Sequence, residues 1–563
     1  MDLQRSLLIG VIAVLSFMML TEWVAFKDDR ISQGVTASAR LTETVQGTFD
    51  APLTESPAAG DDIPIAPDLV QSTSSQPVDE RSVSGSFIQV HTDVLQVAID
   101  LRGGDIVEVA FTKYLEELDT PDIPLILLEQ NQQRTYIAQS GLIGPDGTDS
   151  AGRAEFETSS QRFDLDDSQD ELQVDLFLQN RSGVNVIKRF TLRRGDYLVD
   201  VEYLVENTSG ERWQANLFGQ IKRDGSPAPS KDTSGMGMKP FLGAAITQPD
   251  DRFTKFSFSD MAEEPFKASL PGGWIAMIQH YFLSAWIPNP EQSHTYSTRV
   301  TNGGFNIAGF TSPPMILDPG QSGSVKAGFY AGPKDQYRLE EISPYLELSV
   351  DYGWLWWIAQ PLFWLLTKIH GLVGNWGFSI VFLTVLIKGL FFKLSAASYK
   401  SMANMRRVQP KMADIREEHS EDKQKQSQAM MELYKKEKIN PMGGCLPILV
   451  QMPVFIALYW TLMESVELRH APFMLWIHDL SVMDPYFVLP LLMGGSMWFM
   501  QKLNPPPPDP MQAKIMQWMP IVFTFFFLWF PAGLVLYWVV NNLLSMAQQY
   551  VITRQIEKAA AVD

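Results

Sequence analysis

The run from Phe378 to Phe392 is apolar enough to lie in a bilayer, yet it carries Lys388 near its C-terminal end. An ammonium at that depth costs roughly 2.5–3.5 kcal/mol on insertion scales unless water or polar partners meet it. A chain that keeps such a residue must surround the amine with other polar helix faces, or let its long stem snorkel to the headgroups. Four more apolar runs follow. Leu446 to Val466 holds Pro447 and Pro453, Tyr486 to Met500 holds Pro490 and Gly494-Gly495, Ile515 to Phe530 is rich in phenylalanine, and Ala532 to Val551 carries Asn541-Asn542. Near the N-terminus, Leu7 to Leu20 is uncharged behind Arg5, and Ala37-Ser38-Ala39 lies too far past it to be its cleavage site. That segment reads as an uncleaved signal anchor.

Between anchor and helices the texture changes twice. Ser32 to Ser84 is rich in Ser, Thr, Pro and acids, as a disordered linker is. From Phe87 short segments alternate or are β-branched: Val94 to Ile99, Leu172 to Leu178, Val199 to Val205 and Tyr296 to Val300, with Arg194-Gly195-Asp196 as a turn. These predict a large all-β sandwich. Trp354 to Leu366 is aromatic but short for a span, which needs ~20 residues. With Trp354, Trp356, Trp357 and Trp364 it reads as an interfacial helix.

The expected fold is a polytopic α-helical membrane protein of six spans with an extracytoplasmic β-sandwich domain. The divisions are an anchor at 1–27, a linker at 28–86, the sandwich at 87–332 and an interfacial region at 333–375. The second to sixth spans lie at 376–394, 441–466, 486–502, 513–530 and 531–552. A charged hairpin occupies 395–440, an outer loop 467–485, a cytoplasmic loop 503–512 and a tail 553–563. The positive-inside rule places the hairpin in the cytoplasm, since Lys393 to Asn440 holds 11 Lys and Arg against 7 Asp and Glu. Both termini then lie inside and the sandwich outside.

The net charge of −19 belongs to that outer region, where Ile31 to Val350 carries 24 basic against 45 acidic residues. Such acidity argues against nucleic acid as a partner. Cys445 is the one cysteine, which excludes an internal disulfide and a cysteine-based metal site. No phosphate-loop pattern is present, and neither a cofactor nor a metal is expected. The Asn207-Thr208-Ser209 sequon reads as chance.

Several long segments resemble the YidC-type (Oxa-like) membrane protein insertases in their Gram-negative form. They are Asn440 to Trp460 (NPMGGCLPILVQMPVFIALYW), Ser401 to Met412 (SMANMRRVQPKM), Leu475 to Ser481 (LWIHDLS) and Phe526 to Trp538 (FFLWFPAGLVLYW). The resemblance implies that five of the spans form the family's shared core around a water-filled groove open to cytoplasm and lipid. The family's groove arginine is replaced by Lys388, which keeps the charge without the bidentate fork. It further implies groove positions at Thr384, Gln451, Tyr537, Trp538 and Asn542. A substrate path would follow Met452, Pro453, Phe455, Phe526, Phe527 and Trp529. Implied partners are nascent inner-membrane proteins, the Sec translocon, and the ribosome and signal-recognition receptor at the hairpin and tail.

Without the resemblance, the asparagines read equally well as helix–helix hydrogen bonds, and Met452, Phe526 and Phe527 as packing or lipid-facing residues. Two other functions fit parts of the chain. A solute transporter or channel uses similar intramembrane polar groups, but no internal symmetry is visible. Sugar-processing proteins use similar sandwiches, but His91, His280 and His294 are scattered without a motif.

Overall fold

The computed structural model describes residues 63–64, 87–178, 183–227, 240–419, 422–437, 446–503 and 510–560. The expected anchor and nearly all of the linker lie outside the described residues.

Strands dominate from Phe87 to Pro333, where two sheets of ten and nine strands stack. Pairing is antiparallel except between Phe87–His91 and Arg162–Asp164. In the larger sheet Trp213–Arg223 lies between Thr135–Ile143 and Asn306–Leu317. In the smaller, Leu198–Asn207 lies between Val184–Arg193 and Ser322–Pro333. Alternation explains the layering. Val199, Val201, Tyr203 and Val205 are buried while the residues between them are half-exposed or exposed. The turn expected at Arg194-Gly195-Asp196 is present, with Gly195 at φ +70°.

The two inner faces meet around Trp286, whose ring lies 4.8 Å from that of Phe329 and whose indole N–H donates to the Gln220 carbonyl at 3.1 Å. Each large apolar side chain sealed there contributes about 1.5–3 kcal/mol. Asn207 is fully buried, its amide donating to the Glu211 and Leu317 carbonyls, so the sequon offers no accessible acceptor.

One charged cluster is also interior. Lys188 is fully buried, and its ammonium donates to the carbonyls of Gly103 at 3.0 Å, Gly104 at 2.8 Å and Ser140 at 3.3 Å. Beside it Arg153 pairs with Asp105, and with Asp149 at 2.8 Å, while Gln139 donates to Asp105 at 2.9 Å. Gly103 has φ +83°, and a Cβ there would fall on the Arg153 guanidinium, so only glycine fits.

The first helix among the described residues, α1 (Phe258–Glu263), is closed by a capping box between Ser257 and Asp260. After the sandwich come α2 (Gln336–Ile342), α3 (Trp356–Val373), α4 (Trp376–Leu390), α5 (Phe392–Glu418) and α6 (Lys423–Lys436). They are followed by α7 (Leu446–Glu464), α8 (Val488–Leu503), α9 (Pro510–Phe527) and α10 (Ala532–Ala560). Asn375 caps α4 by accepting the Phe378 N–H at 3.0 Å. The apolar texture runs through Phe391, but the helix does not: α4 stops at Leu390 and α5 leaves at 66°. The hairpin of α5 and α6 breaks close to His419, as the composition predicts.

Among the described residues no single helix is long and apolar enough to cross a membrane, whereas α4 together with Phe392–Met405 is. Along α3 the three tryptophans, Gln360, Lys368 and His370 dilute the apolar character. Its tryptophans face outward, with Trp356 57% and Trp357 59% exposed.

Sandwich and helices are joined by buried polar contacts. Lys334 pairs with Glu464 at 2.5 Å, both within 5% of full burial. His280 donates to the Met463 carbonyl at 2.8 Å, and Arg469 donates to the carbonyls of Leu115 at 2.9 Å and Glu116 at 3.0 Å.

Candidate functional site

The last helix supplies one side of a polar seam. Asn541, Asn542, Ser545, Gln548 and Gln549 recur at three- and four-residue spacing along α10, which places them on neighbouring faces. α10 packs against α4, α5 and α8, each of which answers with a polar group.

From α4 comes Lys388, only 8% exposed, whose ammonium donates to the Ser545 hydroxyl at 2.7 Å. That hydroxyl donates onward to the Asn541 carbonyl at 2.7 Å, which leaves its lone pairs free to accept. The amine therefore points at α10. Among the described residues no carboxylate forms an ion pair with it. Thr384, one turn earlier and fully buried, donates to the Ile380 carbonyl at 2.7 Å. From α8, Ser496 accepts the Asn542 amide at 3.0 Å and donates to the Met493 carbonyl at 2.6 Å. From α5, the Phe392 carbonyl accepts the Gln548 amide at 3.2 Å. Close helix approach needs Gly494, where a Cβ would overlap the Thr524 side chain from α9.

Aromatic residues line the adjoining space. Phe455 of α7 meets Trp538 edge-on at 4.9 Å and lies parallel to Tyr537 at 6.2 Å. Phe527 of α9 lies 5.8 Å from Trp538, and Phe526 is edge-on to Phe527 at 5.6 Å. Two donors near these rings, the Gln451 amide and the Trp538 indole N–H, are buried without a partner. They mark a place that can hold water or a polar segment. Of the remaining sequence candidates, Met452 is 39% exposed, Pro453 is half-buried, and Trp529 packs edge-on to Phe525 at 4.8 Å outside the Trp538 cluster.

Sequence reasoning missed Ser545 and Ser496. Ser545 was findable, since it stands three and four residues after the two asparagines. Ser496 carries no such signal. The three histidines weighed for sugar chemistry serve separate places: His91 meets Asp164 at 3.1 Å, His280 holds the junction, and His294 bonds the Asn289 carbonyl at 2.7 Å. In the seam Ser545 stands beside Lys388, but its hydroxyl gives its proton to the Asn541 carbonyl and not to the amine. The chemistry of the seam is solvation by a cation, hydroxyls and amides.

Comparison with known proteins accords with this division. A family profile described as YidC periplasmic domain matches residues 87–365, and one described as 60Kd inner membrane protein matches 368–559. The membrane protein insertase YidC of Cellvibrio japonicus is 53% identical over 99% of both chains. That of Pseudomonas aeruginosa strain LESB58 is also 53% identical, over the full length of both. The crystal structure of an active YidC insertase with its first transmembrane domain resolved is 18% identical, spans 83% of this chain and 93% of that one, and has a TM-score of 0.38. On its sequence matches, which run from end to end, this chain belongs to the YidC membrane protein insertase family of bacterial inner-membrane proteins, which are insertases and not enzymes.

Proposed function

We propose that this protein inserts and helps fold transmembrane segments of inner-membrane proteins through a hydrated groove centred on Lys388. The observation that carries the reading is the buried ammonium held by Ser545 with no carboxylate beside it, in a seam of hydroxyls and amides. A client helix of ~20 apolar residues favours lipid once there. The barrier is its polar flank, because each unsatisfied backbone group in hydrocarbon costs several kcal/mol. Water and the polar groups of the groove solvate that flank part of the way. Lys388 draws acidic flanks in, with an attraction of at most about 4 kcal/mol at ~4 Å and an effective dielectric near 20. The apolar part then slides past Met452, Pro453 and Phe455 on α7 and Phe526, Phe527 and Trp529 on α9. Gln451, Thr384, Tyr537, Trp538 and Asn542 complete the groove lining.

The topology that serves this has six spans, both termini in the cytoplasm and the sandwich in the periplasm, with α3 lying along the outer surface. The basic hairpin of α5 and α6, with the tail, docks the ribosome and signal-recognition receptor, and the protein acts alone or beside the Sec translocon. What supports this is family membership and the charge pattern.

A photo-crosslinker at Met452 or Phe526 should capture a stalled nascent span, while one at the exposed Leu386 of α4 should not. Equal capture at all three positions removes the proposed path. Reconstituted protein should insert a single-span substrate without added energy. Solute flux without insertion would favour a transporter instead. Deleting most of the sandwich should leave insertion largely intact.

A further inference from the structure

The sandwich holds two guanidinium groups, one buried and one half-buried, that form no ion pair among the described residues. Arg223, at the end of strand Trp213–Arg223, is 1% exposed. Its guanidinium carbon lies 4.7 Å from the centre of the Tyr136 ring and 5.8 Å from that of Phe258. Of its nitrogens only Nη2 finds an acceptor, the Ser226 carbonyl at 3.1 Å, while Nε and Nη1 are buried without a partner. Tyr136 is the cross-strand neighbour of Arg223, and Arg134, just before the strand of Tyr136, is near enough to repel Arg223. Arg134 is half-buried, and its Nε and Nη2 are likewise buried without a partner. The Gln279 amide lies within hydrogen-bonding reach of the Tyr136 phenol and is engaged there.

The nearby carboxylate, Asp224, acts on Arg223 through space but makes its hydrogen bonds elsewhere. Asp224 accepts the backbone N–H of Thr135 at 2.5 Å and of Ser226 at 2.8 Å. Burial, and next the repulsion of Arg134, push Arg223 down to about 10. Buried cations are ordinarily paired. Two guanidinium forks, each with two buried N–H groups left unsatisfied, are the complement of an oxyanion, which accepts on every face. The stacked rings hold the Arg223 plane fixed, so the donors are set before the ligand arrives.

We propose that Arg134 and Arg223 form a binding site for a phosphate-type oxyanion, entered from the half-buried Arg134 side. The same chemistry is offered by free phosphate and by the phosphodiester of a lipid headgroup.

The test is thermal unfolding of the purified full-length protein in uncharged detergent, at constant ionic strength. One arm adds inorganic phosphate and the other monomeric dihexanoyl phosphatidylglycerol, each against chloride. A saturable rise in Tm of roughly 2–4 °C is expected from a ligand well above its Kd. Arg134→Gln, at a half-buried position that tolerates the change, should abolish the rise and be at least as stable as the parent without ligand. Arg223→Lys, which keeps the charge without the fork, should weaken it. A rise with phosphate alone assigns the site to free oxyanion, and a rise with the lipid alone assigns it to a headgroup. No rise in either arm, or a rise that survives Arg134→Gln, overturns the proposal.

Discussion

Two buried lysines, Lys188 in the sandwich and Lys388 among the helices, show how differently the two regions treat an interior charge. Lys188 donates to three carbonyls, and the Asp105, Asp149 and Arg153 cluster beside it makes the group neutral overall. Burial pushes its ammonium down to about 7, and the acids act in the opposite direction. Lys388 has a single hydroxyl that is itself committed to Asn541, and no acid. A cation compensated on every side is a structural member. A cation compensated once, in a place with unpartnered donors nearby, retains attraction for something that arrives from outside.

The largest effect should come from Lys188→Met, which leaves Arg153 alone to balance the two acids of the cluster. Loss of one partner from a buried ionic cluster costs about 3–5 kcal/mol. Chemical unfolding of the purified protein checks this, and a loss under ~1 kcal/mol would mean that the cluster is not structural. Lys334→Met should cost about 3 kcal/mol by isolating Glu464, while adding Glu464→Gln should restore stability to within about 1 kcal/mol. No recovery in the double variant would show that Lys334 acts through packing and not through the pair.

Lys388→Ala should leave stability nearly unchanged. It should slow insertion of substrates with acidic translocated flanks about tenfold, equivalent to about 1.4 kcal/mol. Neutral-flank substrates should be spared, and Lys388→Arg should preserve function. Equal insertion of both substrate types by the alanine variant would erase the contrast with Lys188.

The smallest effect concerns Glu467, in the loop after α7. Burial, with Asp335 nearby, raises its carboxyl to about 7 from an ordinary 4.5. The folded protein thus holds this proton more tightly than the unfolded chain. The stability it contributes is complete below pH 4.5 and falls as pH rises to 7. Glu467→Gln should match the parent at pH 4.5 and exceed it at pH 7.5 by about 1 kcal/mol, after allowing for partial exposure. His280, which burial and then Lys334 push down to about 3, titrates with the opposite sign in both proteins, so the difference between them isolates Glu467. Parallel pH curves would remove Glu467 from the junction's electrostatics.

How much was legible beforehand varies with the kind of signal. Alternation along Val199 to Val205 announced a strand buried on one face, because side chains in a strand point to opposite sides in turn. The hairpin break near His419 was visible in composition. The end of α4 at Leu390 was not, since the apolar texture continues through Phe391 and hydropathy does not register a bend. Ser545 could have been found from its spacing to Asn541 and Asn542, but its partner could not. A hydroxyl four residues past an amide says which face it shares, not which helix will lie against that face.

The sequence by itself determined the large acidic β region, the basic hairpin, the apolar helices and the family, since these depend on composition and on periodicity within short windows. Only the tertiary structure decided which charges are neutralised. Lys188 and Lys388 lie 200 positions apart, and the residues next to each do not say which groups will meet its ammonium. The acids that accompany Lys188 arrive from strands and turns tens of residues away, and the hydroxyl that meets Lys388 comes from the last helix. Compensation of a buried charge is set by what lies within a few ångströms in space, and chain separation carries almost no information about that distance.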